Sequence, residues 1–211
     1  MSTEESWKIA LQFVSVVSGL IAIILTIPVI RQRLLGPRLS VKLVGDLGVR
    51  TKRLQDGIEI PMYMYHLRVS NARGKWAPAE NVKVLVKSLS KGADPHFYTM
   101  RITGDIPLAW EHTEKTPESR KIGKDHICDL GYLEPPGFRL KTYFDPNDFE
   151  NRLKGGETML VEIQAVADSG AASKSLWLKI YWTGVWPDDS GDIRKHVFVN
   201  EIAPGSQNRT S

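Results

Sequence analysis

The chain is poor in cysteine, with Cys128 alone among its 211 residues. A disulfide within the chain needs two cysteines, so this way of stabilising a secreted domain is excluded, and the composition is typical of a reducing compartment. No local motif supplies a base that would make the Cys128 thiol a nucleophile. We therefore predict that Cys128 is a small buried apolar group in a strand.

Linear motifs for catalysis are also missing. The sequence contains no Gly-x-x-x-x-Gly-Lys phosphate loop, no Gly-x-Ser-x-Gly nucleophile elbow and no His-Glu-x-x-His. Its five histidines are dispersed, none within four residues of another, so no local segment presents a pair of them to a metal ion. The prediction is a non-catalytic protein without a cofactor or a metal. An enzyme whose groups are brought together only by the fold is the alternative.

Net charge is low outside the first 38 residues. The whole chain carries a formal net charge of +4, and half of it falls in residues 1–38. The remainder, residues 39–211, is too balanced for the basic surface that nucleic acid requires. We expect no nucleic-acid partner.

One long apolar stretch, residues 9–30, has no charged side chain. Its 22 residues would form a helix of about 33 Å, enough to cross a hydrocarbon core of about 30 Å. A cleaved signal peptide has a basic start and small residues at its cleavage site, whereas Glu4 and Glu5 precede this stretch and Arg31 follows it. The pattern predicts a retained transmembrane helix that follows a short tail at 1–8.

Basic residues flank the C-terminal side of this stretch. A linker at 31–38 contains Arg31, Arg33 and Arg38, whereas Lys8 alone precedes the stretch. The positive-inside rule therefore places the C-terminal domain in the cytoplasm and the N-terminus outside. The same three arginines are candidates for contact with anionic lipid head groups; the alternative is that they act only as this topology signal. An extracytoplasmic adhesion or envelope module of the opposite topology is the alternative.

Small residues repeat along one stripe of the predicted span. They occur in two pairs with a spacing of four, Ser15 with Gly19 and Ser18 with Ala22. Such a stripe lets two helix backbones approach closely in lipid, where hydrophobicity does not drive association. It predicts a weak homodimer through the span. A monomeric anchor, or a seam for another membrane protein, is the alternative.

From residue 39 onward, apolar and polar residues alternate in short runs that are separated by turn sequences. A period of two is typical of strands with one buried face. The runs begin at LSVKLV and end at HVFVNEI, without a long amphipathic helix between them. The pattern predicts a mainly β chain, with a two-sheet antiparallel sandwich over 39–202 and a flexible tail at 203–211.

One stretch, Tyr65–Val86, resembles the strand, turn and strand of bacterial immunoglobulin-like modules related to fibronectin type III domains. In those modules a hydrophobic strand ends in Val-x-Asn, a turn with glycine follows, and a small residue and Asn precede a Val-x-Val strand. The matching positions here are Val69, Asn71, Gly74, Ala79, Asn81, Val82 and Val84. The resemblance implies an immunoglobulin-like fold that binds partners or acts as a spacer.

Aromatic side chains in SLWLKIYW and just after it form a candidate partner surface. Alternation that buries the aliphatic residues of this run turns the others outward, and the predicted surface comprises Trp177, Lys179, Tyr181 and Trp186. Large aromatic side chains on the outer face of a sheet are enriched at interfaces. The alternative is that residues 103–125, with Trp110, fold over this face and bury it.

These observations predict a single-pass protein of the cell membrane. Its immunoglobulin-like domain would bind or scaffold a protein partner at the cytoplasmic face.

Overall fold

The computed structural model describes residues 3–27, 30, 34–93, 96–100, 104–111, 118–147, 149–187 and 192–204. A helix, α1 (Thr3–Thr26), precedes a mainly β region. The helix begins six residues before the predicted span 9–30, because polar residues continue the same backbone hydrogen bonding. It ends two residues before Pro28, and the residue that precedes a proline disfavours helical backbone.

Within α1, the segment Ser6–Ile23 is long and apolar enough to cross a membrane. None of this segment is buried against the rest of the described chain. Apolar surface left in water is unfavourable by about 25 cal/mol per Å², so the helix is a candidate membrane span. Residues 28–29 and 31–33, which belong to the predicted span and its linker, lie outside the described residues.

Strands predominate after the helix. In chain order the elements are β1 (Leu39–Leu43), β2 (Val49–Gln55), β3 (Ile58–Asn71), a 3-10 turn (Gly74–Trp76), β4 (Ala79–Ala93), β5 (His96–Met100), β6 (Ile106–Pro107), β7 (Arg120–Ile122), β8 (Asp125–Glu134), β9 (Gly137–Leu140), β10 (Arg152–Leu153), β11 (Thr158–Val166), β12 (Leu176–Trp182), α2 (Ile193–His196) and β13 (Val197–Ile202).

The first sheet is antiparallel, in the order β1, β3, β8, β9 and β10. β3 pairs with β2 over its first half and with β1 over its second half. β2 and β3 form a hairpin whose turn residues, Asp56 and Gly57, have φ angles of 52° and 79°, as a two-residue type I′ turn requires. Leu39, where the chain joins the sheet, and the hairpin turn therefore lie at opposite ends of β3.

The second sheet is also antiparallel, in the order β13, β12, β11, β4 and β5, with β6 and β7 paired to β4. β11 pairs along β4 from Gly92 to Lys83, with one irregularity between Glu162 and Ile163. β13 stands at the end of this order and is an edge strand. The described chain is thus mainly β, with two antiparallel sheets and one apolar N-terminal helix.

One hydrophobic core receives side chains from both sheets. Alternate residues of β3, such as Leu67 and Val69, meet alternate residues of β11, such as Val161 and Ile163. The alternation predicted from the sequence is thereby confirmed in these strands. Cys128 in β8 is fully buried, as predicted, and burial raises the pKa of its thiol well above the usual value.

Trp110 closes one side of the space between the sheets. Its segment pairs with the second sheet through Pro107 opposite Leu85, and then with the first sheet through Trp110 opposite Cys128. The indole is fully buried in the shared core. The alternative that Trp110 covers the outer face around Trp177 is therefore wrong, because the pairing with both sheets directs the indole inward. Residues 112–117 of that segment lie outside the described residues.

Candidate binding groove and neighbouring surfaces

A groove of about 750 Å³ lies beside the hairpin of β2 and β3. Its lining combines charged side chains with a proline turn and apolar rim residues: Arg53, Leu54, Gln55, Ile60, Glu134, Pro135, Pro136, Arg139 and Arg152. The strands β2, β8, β9 and β10 each contribute to it. Concave sites with a few convergent polar groups are where ligands and partner segments most often bind.

Glu134 lies in the floor of the groove between two arginines. Its side chain is 6% exposed, and its two oxygens accept hydrogen bonds from Arg53 at 3.0 Å and from Arg152 at 3.2 Å. The tight turn after β8 makes this position possible, since a Cβ at Gly137 would lie 2.3 Å from the carbonyl oxygen of Leu153. One buried carboxylate therefore faces two guanidinium groups, which leaves an excess of positive charge.

A third guanidinium, that of Arg139, lies on the neighbouring strand. Arg139 pairs with Arg152 across β9 and β10, and its side chain forms an ion pair with Asp145. Arg53 covers the ring of Tyr132, with its guanidinium carbon 5.8 Å from the ring centroid. Strand register thus gathers three arginines that are far apart in the sequence.

The three arginines keep unused donors. Each guanidinium has five N–H groups in a fixed fork, and the hydrogen bonds to Glu134 use one terminal nitrogen of Arg53 and one of Arg152. Nε of Arg53 is buried without a hydrogen-bond partner. Forks of this kind bind carboxylates in a bidentate manner. The groove is therefore suited to an acidic segment.

Two exposed aliphatic side chains lie on the hairpin beside the groove. Leu54, which lines the groove, is 72% exposed, and Ile58, on the other side of the hairpin turn, is 68% exposed. Exposed aliphatic side chains beside arginines that keep unused donors favour a partner that offers both acidic and apolar groups. No sequence pattern predicted this groove. The Asp-Gly pair in QDGIEI is a hairpin signal, but no local pattern links Arg53 to Glu134.

A second charged cluster lies on the same sheet. Asp129 is 1% exposed and accepts hydrogen bonds from Nδ1 of His66 at 2.9 Å and from Nζ of Lys141 at 2.5 Å. Burial alone would raise the pKa of this carboxyl group, but the bonds from His66 and Lys141 outweigh burial and lower it. The cluster sits at the irregularity in the pairing of β3 with β8, and none of its members lines the groove. It therefore ties the two strands together where their ladder is interrupted.

Three of the four residues of the predicted partner surface share one face. Trp177, Lys179 and Tyr181 alternate with buried residues of β12 and so lie on the outer side of the second sheet. Phe198 of the edge strand β13 packs beside Tyr181, with ring centroids 6.0 Å apart. Trp186 departs from this face, because it packs on Tyr63 of the first sheet with ring centroids 5.7 Å apart.

The remaining predicted site residues lie near the N-terminus. Arg38 is exposed, whereas Arg31 and Arg33 lie outside the described residues. The seam residues Ser15, Ser18, Gly19 and Ala22 are all exposed in α1. A Cβ at Gly19 would meet nothing within 4 Å, so this position leaves room for a second helix. Head-group contact and helix association stay predictions.

In the described part of the chain, no three side chains of the types His, Cys, Asp and Glu come together in a way that could hold a metal ion. A comparison with protein-family models and with curated proteins finds no match.

Proposed function

We propose that this protein is a single-pass membrane-anchored immunoglobulin-like module that binds an acidic segment of a partner protein at the cytoplasmic face, without catalysis. The observation that carries the proposal is the groove in which Arg53, Arg139 and Arg152 converge. Among the described residues, the three guanidinium groups have Glu134 and Asp145 as their anionic partners, so an incoming carboxylate has donors available.

The apolar surface of α1 supports membrane anchoring. Its segment Ser6–Ile23 has no buried residue within the described structure, and burial in lipid would remove this apolar surface from water. Arg31, Arg33 and Arg38 follow the helix, whereas Lys8 is the single basic residue before residue 9. That asymmetry supports a cytoplasmic domain.

Strand order supports the immunoglobulin-like assignment. β1, β3 and β8 are neighbours in the first sheet, and β4, β11 and β12 are neighbours in the second. The order corresponds to strands A, B and E facing strands C, F and G of constant-type immunoglobulin domains. The sheet position beyond β8 is taken by β9, which follows β8 in the chain, whereas strand D of those domains precedes strand E.

The position of the groove supports a partner in the aqueous phase. Leu39 pairs with Asn71 at one end of β3, and the hairpin turn lies at the other end. The strand between them has 14 residues, or about 45 Å at roughly 3.3 Å per residue. The groove beside the hairpin therefore lies away from the point at which the anchor joins the domain.

Photo-crosslinking tests the groove in the full chain. A photoreactive amino acid at Leu54, on the groove rim, is expected to yield an adduct with a partner protein in cells. Replacement of Arg139 by glutamine should lower the yield about tenfold or more, since a charge-assisted hydrogen bond contributes about 1.5–3 kcal/mol. Adduct formation is measured by mass-shifted bands and identified by mass spectrometry.

Lys174 provides the matched control, because it is an exposed cation that belongs neither to the groove nor to the predicted partner surface. Lys174→Gln should leave the Leu54 adduct unchanged, and Arg152→Gln should repeat the loss seen with Arg139→Gln. An adduct that survives both arginine variants would exclude the groove as the binding site.

The outer face of the second sheet is the second candidate for partner binding. Phe198 is 42% exposed on an edge strand and packs beside Tyr181, and aromatic side chains of this kind are enriched at interfaces. A photoreactive group at Phe198 that gives an adduct, with none from Leu54, would favour this face over the groove.

Protease protection tests the topology. Lys52 on the exposed hairpin is a trypsin site with 66% of its side chain accessible. In sealed vesicles, trypsin is expected to cleave the domain only when the cytoplasmic face is outward. Right-side-out vesicles expose the extracytoplasmic face. Cleavage of the domain by trypsin added outside them would overturn the proposed topology and support an extracytoplasmic module.

A further inference from the structure

We infer that the turn Ala72–Ala77, here named the anchor-side turn, rests on the membrane surface with Trp76 among the head groups of anionic lipids. The inference rests on the proposed membrane anchor. It assigns a lipid-binding surface to the folded domain itself, in addition to the arginines of the linker.

The anchor-side turn lies where the chain joins the first sheet. The amide of Ala72 donates to the carbonyl oxygen of Arg38 at 2.9 Å, and Leu39 then begins β1 opposite Asn71. The linker 31–38 has eight residues, which reach at most about 29 Å when fully extended. The turn is therefore held close to the end of the predicted span.

Trp76 is 97% exposed. By contrast, Trp110 and Trp182 are 0% and 3% exposed. Tryptophan is enriched at membrane interfaces, because its ring is apolar while its N–H is satisfied by water and head groups. A tryptophan presented at the anchored end of a domain matches that environment.

Four cations lie on or beside the anchor-side turn. Arg38 and Lys75 are exposed, Arg73 is partly exposed, and Lys124 lies on the turn that packs beside Gly74. None of the four forms an ion pair with another described residue. Nearby charges of Lys121 and Glu80 neutralise each other through an ion pair of 2.6 Å. Among the described residues at the end of the domain that faces the anchor, these four cations outnumber the exposed carboxylate of Asp125, which follows Lys124. Anionic lipids complement this excess of positive charge.

Asn71 fixes the shape of the turn. Its side chain is nearly buried, and its Oδ1 accepts hydrogen bonds from the amides of Arg38 at 3.0 Å and Arg73 at 3.2 Å. Its Nδ2 donates to the carbonyl oxygen of Ala77 at 2.7 Å. One side chain therefore joins the end of the linker to both ends of the turn. Because the turn already has a fixed conformation, Trp76 can contact lipid at little further cost in conformational entropy.

Leu34 and Leu35 extend the apolar contribution. They are 53% and 54% exposed and precede Arg38 in the linker. A chain that leaves a bilayer passes from hydrocarbon to the head groups. The apolar side chains match the hydrocarbon, and the cations and the tryptophan that follow match the head groups. This continuity with the anchor favours a lipid surface as the occupant.

A fluorescent probe on the full chain tests this inference. An environment-sensitive fluorophore is attached to an Ala72→Cys variant, and Cys128 is fully buried and stays unlabelled. In vesicles of phosphatidylcholine and phosphatidylserine, the label should show apolar emission and be quenched by brominated lipid. Lys75→Gln should lower the ratio of docked to undocked label about fivefold, as expected for the loss of one cation near the surface. Lys75→Arg should preserve the ratio, and Trp76→Ser should lower it.

A label at Gln55→Cys, on the hairpin at the far end of β3, is the position control and should report water throughout. If the protein floats with the vesicles but the label at position 72 shows the emission typical of water, the inference is overturned and the membrane anchor still stands. Failure of the full chain to float with vesicles would overturn the anchor and the inference together. If the label docks equally well on vesicles of phosphatidylcholine alone and on vesicles that contain phosphatidylserine, the cations do not contribute to docking. Apolar emission in the lipid vesicles without quenching by brominated lipid would indicate a protein contact instead.

Discussion

Replacement of Trp110 by alanine is expected to lower the free energy of unfolding by about 3–5 kcal/mol, the usual cost of deleting a buried tryptophan side chain. The indole is fully buried in the core shared by the two sheets. Its segment pairs with both of them, so the cavity cannot collapse by movement of one strand alone. Chemical denaturation of the full chain in detergent, followed by circular dichroism, measures the change.

Two further tryptophan variants sharpen this test. Trp76→Ala serves as the exposed control and should change stability by no more than about 0.5 kcal/mol. Trp110→Phe should recover most of the loss, because it keeps an aromatic ring and removes an Nε1 group that is buried without a hydrogen-bond partner. A loss below about 1 kcal/mol for Trp110→Ala would show that this segment does not join the sheets.

Replacement of Asp129 by alanine is expected to destabilise the fold by about 3 kcal/mol, at the lower end of the range for breaking a buried ion pair. The lower end applies because the side chain of Lys141 is 37% exposed and can reach water when its partner is lost. Glu59→Ala removes an ion pair with Lys52 in which both side chains are more than 60% exposed. This control should cost about 0.2–1 kcal/mol.

The Asp129 cluster also predicts a pH dependence. The pKa of this carboxyl group is lower in the folded chain than the value of about 3.9 expected in the unfolded chain. Its charged form therefore stabilises the fold above about pH 4, and that stabilisation is lost as the pH falls through the folded pKa. The stability difference between the wild type and Asp129→Asn should shrink in acid. A difference that stays constant from pH 7 to pH 3 would contradict the role given to the charge.

The alternation of residues predicted much of the β region because it is a local property. Each residue of SLWLKIYW needs only its two neighbours to be assigned an inward or outward face. The structure places Leu178 inside and Lys179 outside accordingly. Trp186 lies beyond the end of this strand, where alternation no longer applies, and it packs on Tyr63.

The groove could not be predicted in the same way. Arg53 and Glu134 are 81 residues apart in the chain, and Arg152 reaches the same carboxylate from a third strand. Their meeting depends on the register of β2 with β3 and of β3 with β8. A shift of one residue in either pairing would turn these side chains to the opposite face.

The anchor-side turn was predicted in part from the local sequence, and its details depend on the tertiary structure. Val69, Asn71 and Gly74 suggested a strand that ends in a turn. The role of Asn71 as the hydrogen-bond centre of that turn appears only when the carbonyl oxygen of Ala77 and the amide of Arg38 are close to it. Trp76 is exposed on this turn, and no pattern in the sequence predicted its exposure.

The sequence by itself therefore determined an apolar helix near the N-terminus, a mainly β chain and the inward faces of strands such as β11 and β12. These features follow from hydropathy and period, which any short segment carries within itself. The tertiary structure decided which arginines share a carboxylate, which tryptophan is buried and which is exposed. Those outcomes depend on strand pairing and on the packing of two sheets, where residues distant in the chain compete for the same space.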